Sequence, residues 1–163
     1  MPSAPDSVIL GVLRGMGPPA VNLGVPRRPS AALLTCVDER VVPEAIFGCA
    51  PGGLYSVRLA GHVVTPEVVS SLEIAVGLGC RLVIVLGHTD CSAVRLEREH
   101  TGDHFAIVQR IRWATRGLPW RASLDEAIEA NVRASVAELR DRLRVRIVGG
   151  VYDLATGQVR SLE

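Results

Sequence analysis

Five consecutive apolar residues, Leu82-Val83-Ile84-Val85-Leu86, run unbroken between Arg81 and Gly87. A run of this length, rich in β-branched residues and without an alternating polar face, predicts a strand covered on both sides. Such a strand belongs in the middle of a sheet with helices packed over it. Ala31–Thr35, ending at Cys36, and residues 54–59, ending before Ala60-Gly61, predict two more strands, and residues 144–152 a fourth. After the turn-forming stretch 153–157, residues 159–162 predict a short returning strand.

Helical signals lie between these runs. Thr65 is suited to cap a helix that has Pro66 in its first position, and Val68, Val69, Leu72, Ala75 and Val76 recur at helical spacing up to Gly77 and Gly79. A second helix is predicted over residues 105–115. A third starts at Ser123, where Glu126 completes a capping box before Ala127, Ile128, Val132, Val136 and Leu139. Strands alternating with helices of this length imply parallel pairing through right-handed crossovers. The expectation is an α/β fold with a mainly parallel central sheet flanked by helices. Hydrophobic residues are 48% of the chain and aromatics 4%, so the core must be made of Val, Leu, Ile and Ala.

Residues 1–30 hold six of the ten prolines and show no clear period, so they are read as an irregular arm with a short helix near residues 8–13. Residues 31–163 are expected to form one catalytic domain. A net charge of +1, with Arg and Glu interspersed, gives no footprint for nucleic acid or an anionic membrane. The first fifteen residues lack a secretory pattern, and no apolar run is long enough to span a bilayer, so a cytoplasmic location is expected. In a reducing compartment, cysteines near a histidine read better as metal ligands than as disulfides.

Two clusters carry the chemistry. Cys36-Val37-Asp38-Glu39-Arg40 follows one predicted strand and His88-Thr89-Asp90-Cys91 follows another. In open parallel sheets ligands bind beyond the carboxyl ends of the strands, where the strand order reverses, so neighbouring strands there would bring the clusters together. Two thiolates and an imidazole suit zinc, and three protein ligands leave a fourth position for water. Taken singly, the cysteines and histidine read better as buried thiols with a core histidine, and Asp38 with Arg40 reads equally as a surface ion pair. Their coincidence at two strand ends favours the metal.

The pattern Cys-x-Asp-x-Arg at Cys36, Asp38 and Arg40, with His-x-x-Cys at His88 and Cys91, resembles the β-class carbonic anhydrases. The similarity extends through residues 51–62, 71–76, 151–153 and 156–157. It implies that Cys36, His88 and Cys91 hold one zinc ion per chain and that Asp38 and Arg40 form a catalytic dyad. The implied activity is that of a carbonate dehydratase, a zinc lyase that activates water for the reversible hydration of carbon dioxide to bicarbonate. The implied assembly is a homodimer or higher homo-oligomer. Two alternatives stand beside it: a carbonyl sulfide or carbon disulfide hydrolase on the same scaffold, and a non-enzymatic zinc-binding or redox-responsive protein. The chain departs from common members at Ala50, Gly53, Leu59, His62 and Ser92, which reshapes the pocket but removes no proposed ligand. Leu33 and Ile74 stand where some members carry the Trp and Tyr of a regulatory bicarbonate site, so no such site is expected. His62, His100 and His104 are candidate proton carriers by residue type alone. Cys49 and Cys80 are read as buried small residues, and Trp113 and Trp120 as packing a loop or an interface.

Overall fold

A computed structural model describes residues 29–99 and 106–162. The arm, the short helix near residues 8–13, and the side chains of His100, His104 and Phe105 lie outside the described residues, apart from Pro29 and Ser30. The elements run β1 (Ala31–Thr35), α1 (Pro43–Phe47), β2 (Leu54–Arg58), a 3₁₀ turn (Ala60–His62), α2 (Pro66–Gly77), β3 (Leu82–His88), α3 (Ser92–Glu99), α4 (Ala106–Thr115), α5 (Leu124–Arg142), β4 (Arg146–Tyr152) and β5 (Val159–Ser161). They form one five-stranded sheet of order β2-β1-β3-β4-β5. The first four strands are parallel and β5 is antiparallel to β4. The apolar run is the middle strand, as its composition requires. No described helix is long and apolar enough to cross a membrane.

The caps act where the sequence places them. Thr65 Oγ1 accepts from the Val68 amide at 3.3 Å at the start of α2. At the start of α5, Ser123 Oγ accepts from the Glu126 amide at 3.1 Å, and the Glu126 carboxylate accepts from the Ser123 amide at 2.6 Å. This closed box fixes one end of a helix that then runs for 19 residues.

Handedness distributes the helices. The chain steps from β1 outward to β2, then returns past β1 to β3 and on to β4. Right-handed crossovers in opposite directions put α1 on one face of the sheet and the later helices on the other. The core divides accordingly. Ala32, Leu34, Val83 and Val85 pack in one large cluster with Leu72 of α2, Ile111 of α4, and Ile128 and Val132 of α5. Leu33 and Leu86 face the other way, in a small cluster with Val41, Ile46 and Phe47. Because α1 has five residues, that second face is thinly covered and Leu82 and Ile84 are only half-buried. β3 is covered on both faces as expected, but unevenly: within one chain the covering is thick on one side and thin on the other.

On the thick side α5 sits unusually close to the sheet. A Cβ added at Gly87 would lie 2.6 Å from Val132 Cγ2, and one added at Gly149 would lie 2.9 Å from Val132 Cγ1. The two glycines sit on neighbouring strands, with Gly87 paired to Val151, so they share a face and form a notch for the Val132 side chain. Valine on a helix has little χ1 freedom with which to move aside. Gly87→Ala should therefore destabilise the fold by about 1–3 kcal/mol through overpacking. A lower urea midpoint with an unchanged slope is the expected result, and an unchanged midpoint would show that α5 can lift.

Candidate metal centre

Strands β1 and β3 are hydrogen-bonded neighbours, with Thr35 paired to Leu86, and the strand order reverses between them. Thr35 Oγ1 donates to the Leu86 carbonyl at 2.8 Å, a side-chain tie one residue before Cys36. The two clusters leave the sheet side by side. The ligand atoms of Cys36, His88 and Cys91 all lie within 4.8 Å of one another, and all three residues are buried.

Each ligand atom has a reason to be where it is. His88 ends β3, and its Nδ1 lies 2.9 Å from the Thr89 carbonyl, which fixes the proton on Nδ1 and leaves Nε2 as an acceptor. Nε2 is buried and has no hydrogen-bond partner. A buried ring nitrogen left unpaired is costly, and a metal ion is the partner that would satisfy it. Cys91 precedes α3, and its carbonyl accepts the Arg95 amide at 2.9 Å, so its thiol sits at the positive end of that helix. Asp90 reaches this position through a left-handed φ of 57°, which aspartate tolerates better than most residues. Cys36 Sγ accepts from the Gly61 amide at 3.3 Å.

The sulfurs of Cys36 and Cys91 are 3.9 Å apart. Two sulfurs bound tetrahedrally to one zinc stand about 3.8 Å apart, given a Zn–S bond of about 2.3 Å. Without a cation between them, both thiols cannot ionise at that distance. The contact between the two sulfurs lowers the pKa of Cys36 and raises that of Cys91. The proton they share must leave when a metal binds both. Burial pushes His88 down, but the neighbouring Cys36 sulfur outweighs it and the net direction is upward. The residues fit a soft divalent ion such as zinc.

Asp38 and Arg40 lie beside this cluster. Arg40 Nε donates to Asp38 Oδ1 at 2.9 Å and Nη2 donates to Oδ2 at 2.7 Å, a two-pronged pair reinforced by the Arg40 amide on Oδ1 at 3.0 Å. The Asp38 side chain is 7% exposed, and its Oδ2 is 3.9 Å from His88 Nε2. The guanidinium holds the Asp38 carboxyl down at about 2.

Several contacts carry no signal in residue type or spacing. Arg58 donates through Nε to the Cys36 carbonyl at 3.1 Å and through Nη2 to the Asp38 carbonyl at 2.7 Å, stapling the loop between them. Arg40 Nη1 also reaches Asp90 Oδ2 at 3.1 Å, and Asp90 in turn pairs with Arg95, so one chain of charges links the two clusters. Glu39 is exposed. His62 is buried rather than lining an open pocket, and burial pushes its pKa down to about 4, so it stays neutral and is a poor proton carrier near neutrality. Cys49 and Cys80 stand outside the cluster; Cys49 is half-buried and bonds the Phe47 carbonyl, while Cys80 is buried as expected. Trp113 and Trp120 are exposed, with Arg116 over one ring at 3.9 Å and Arg121 over the other at 5.2 Å.

A buried two-thiol, one-imidazole cluster at the switch point of a parallel sheet, with a carboxylate held beside it, defines an α/β protein with a cluster that could hold a metal ion. Comparison with known proteins agrees. The family model described as "Carbonic anhydrase" matches residues 31–159. A carbonic anhydrase of Mycolicibacterium smegmatis is 34% identical over 154 residues, covering 82% of this chain and 74% of that protein. The β-carbonic anhydrase of Coccomyxa, solved with acetazolamide, superposes with a TM-score of 0.73 at 25% identity, covering 86% of this chain and 74% of that one. A carbon disulfide hydrolase of an Acidianus strain is 34% identical over 83 residues, covering 50% of this chain and 41% of that protein. The chain belongs to the β-class carbonic anhydrase family and is a carbonic anhydrase-type enzyme.

The Asp38–Arg40 pair makes a signed pH prediction. The Asp38 pKa falls from an ordinary 3.8 to about 2, so the pairing stabilises the fold above about pH 4 and is lost as the pH falls through about 2. Arg40 is half exposed, so solvent screening keeps the effect modest. The gap in urea midpoint between wild type and Arg40→Ala should hold steady near neutrality and close as the medium is acidified below about pH 4. A gap independent of pH would assign the effect to packing by the arginine stem.

Proposed function

We propose that this enzyme carries out the reversible hydration of carbon dioxide to bicarbonate, using one zinc ion held by Cys36 Sγ, His88 Nε2 and Cys91 Sγ, with Asp38 and Arg40 as the catalytic pair. The observation that carries the reading is Arg40's two-pronged hold on Asp38 beside the buried, unpartnered Nε2 of His88. Zinc in such an open site lowers the pKa of bound water toward neutrality, a behaviour for which carbonic anhydrase is itself the standard example. The protein's own groups do the rest. Arg40 keeps Asp38 anionic and occupies a lone pair on each carboxylate oxygen, which opposes its capture as a fourth ligand. A second lone pair on Oδ2 remains to accept a hydrogen bond from the attacking water and orient it. Arg58 and Asp90 hold the backbone and the guanidinium in register for that task.

A second reading has specific support: a carbon disulfide hydrolase shares half of this chain at 34% identity. Both reactions add water to a linear, apolar triatomic, so ligand identity does not separate them. Pocket shape does, and Ala50, Leu59 and Ser92 are where this chain departs from common carbonic anhydrases.

Assembly into a homodimer or larger homo-oligomer is part of the same proposal. The thinly covered sheet face, together with Val37 at 52% exposure and Val42 at 49% on either side of the Asp38–Arg40 loop, supplies an apolar surface beside the site for a second copy. A cytoplasmic setting suits the four free thiols.

Stopped-flow hydration with metal analysis tests the reading. Asp38→Ala and Arg40→Ala should each slow carbon dioxide hydration by about 10²-fold or more while keeping about one zinc per chain, and Cys36→Ala should lose the zinc. Full rates in both dyad variants would remove Asp38 and Arg40 from the mechanism. Turnover of carbon dioxide, carbonyl sulfide and carbon disulfide side by side decides between the two substrate readings. Sedimentation at micromolar concentration should find no monomer.

A further inference from the structure

We infer that Asn131 and Ser135, on α5, are positioning residues for the Cys36 ligand, acting through the turn at Ala60–His62; the inference rests on the zinc reading above. The two side chains are buried, at 1% and 5% exposure, and stand four residues apart, so they stack on one face of the helix. Asn131 Nδ2 donates to the Gly61 carbonyl at 2.8 Å and lies 3.4 Å from His62 Nε2, within reach for its second hydrogen. Ser135 Oγ donates to the His62 carbonyl at 3.4 Å. Two successive carbonyls of the turn are therefore taken by the helix. Between them and the cluster, the Gly61 amide donates to Cys36 Sγ.

The turn needs holding. Gly61 and His62 both have left-handed φ values, 61° and 44°, and for histidine that conformation is disfavoured. A backbone bond closing the turn runs from the His62 amide to the Leu59 carbonyl at 2.8 Å. Strained backbone persists where the surroundings over-determine it. Here the turn is confined from two sides: Ile111 Cδ1 and Ala93 Cβ leave no room for a side chain at Gly61, where a Cβ would lie 2.8 Å and 3.2 Å from them, while Asn131 and Ser135 bond its carbonyls from α5. The result is an amide aimed at one sulfur and kept there. Hydrogen bonds to a ligating thiolate tune its donor strength, and loss of such outer contacts weakens metal binding.

Satisfying two buried carbonyls would be reason enough for an Asn and a Ser in a core, and that role alone would leave the metal unaffected. Cobalt(II) substitution separates the two roles, because the thiolate-to-cobalt charge-transfer band reports on the sulfurs directly. The experiment compares full-length wild type, Asn131→Ala, Ser135→Ala and Leu139→Ala, the last removing a fully buried side chain eight residues further along the same helix. Asn131→Ala is expected to bind cobalt about tenfold more weakly by chelator competition and to shift the band. Ser135→Ala shifts both in the same direction by less. Leu139→Ala loses stability but keeps affinity and band. An unshifted band and affinity in Asn131→Ala, or an equal loss in Leu139→Ala, overturns the inference while leaving the zinc site standing. If Asn131→Ala does not fold, Ser135→Ala decides by the same two readouts. A wild-type chain that binds neither cobalt nor zinc overturns the metal reading and this inference together.

Discussion

The parallel pairing of β1 with β3 is the constraint on which the rest depends. Neither Cys36 nor His88 is near the other in sequence, and no local motif joins them. They meet because two strands that feed opposite halves of the sheet lie side by side and end within two residues of one another. The Thr35 hydroxyl on the Leu86 carbonyl fixes that register to within a residue. A slip of one position would send Cys36 to the other face, since side chains alternate along a strand.

Above that pairing, the site is held by layers of different chemistry. Backbone geometry sets the cluster: the end of β3 for His88, the start of α3 for Cys91. Charge sets the neighbours, through the Asp38–Arg40–Asp90–Arg95 chain that crosses from one loop to the other. Much of that chain is exposed and contributes little to folding. Its value lies in fixing where Asp38 points.

Much of this was legible in the residues. The run from Leu82 to Leu86 placed β3 in the centre, and Thr65-Pro66 and Ser123 with Glu126 announced two helix starts by their capping chemistry. The spacing of Cys36, Asp38, Arg40, His88 and Cys91 at two strand ends points to side chains that the fold brings together. Other features were not legible, for physical reasons. Helix α1 is too short to show a period. The thin second face follows from crossover handedness combined with the length of one connecting helix, which no single window contains. Arg58 acts on carbonyls, and carbonyls have no residue type. Asn131 left a trace that could be read: it sits between Ile128 and Val132 with Ser135 one turn later, polar residues inside an apolar stripe, which signals a buried partner without saying which.

Helix α5 joins two of these features. Val132 seats in the notch made by Gly87 and Gly149, and Asn131, its immediate neighbour, grips the turn behind Cys36. The helix therefore has one permitted height above the sheet, set by the glycines, and one permitted position along it, set by the turn. Replacing glycine by alanine is a common way to make a protein more robust. At Gly87 and Gly149 that route is closed, because thickening the sheet would lift the same helix that grips the turn beside Cys36. The packing at those glycines and the placing of the turn beside Cys36 are here a single mechanical property.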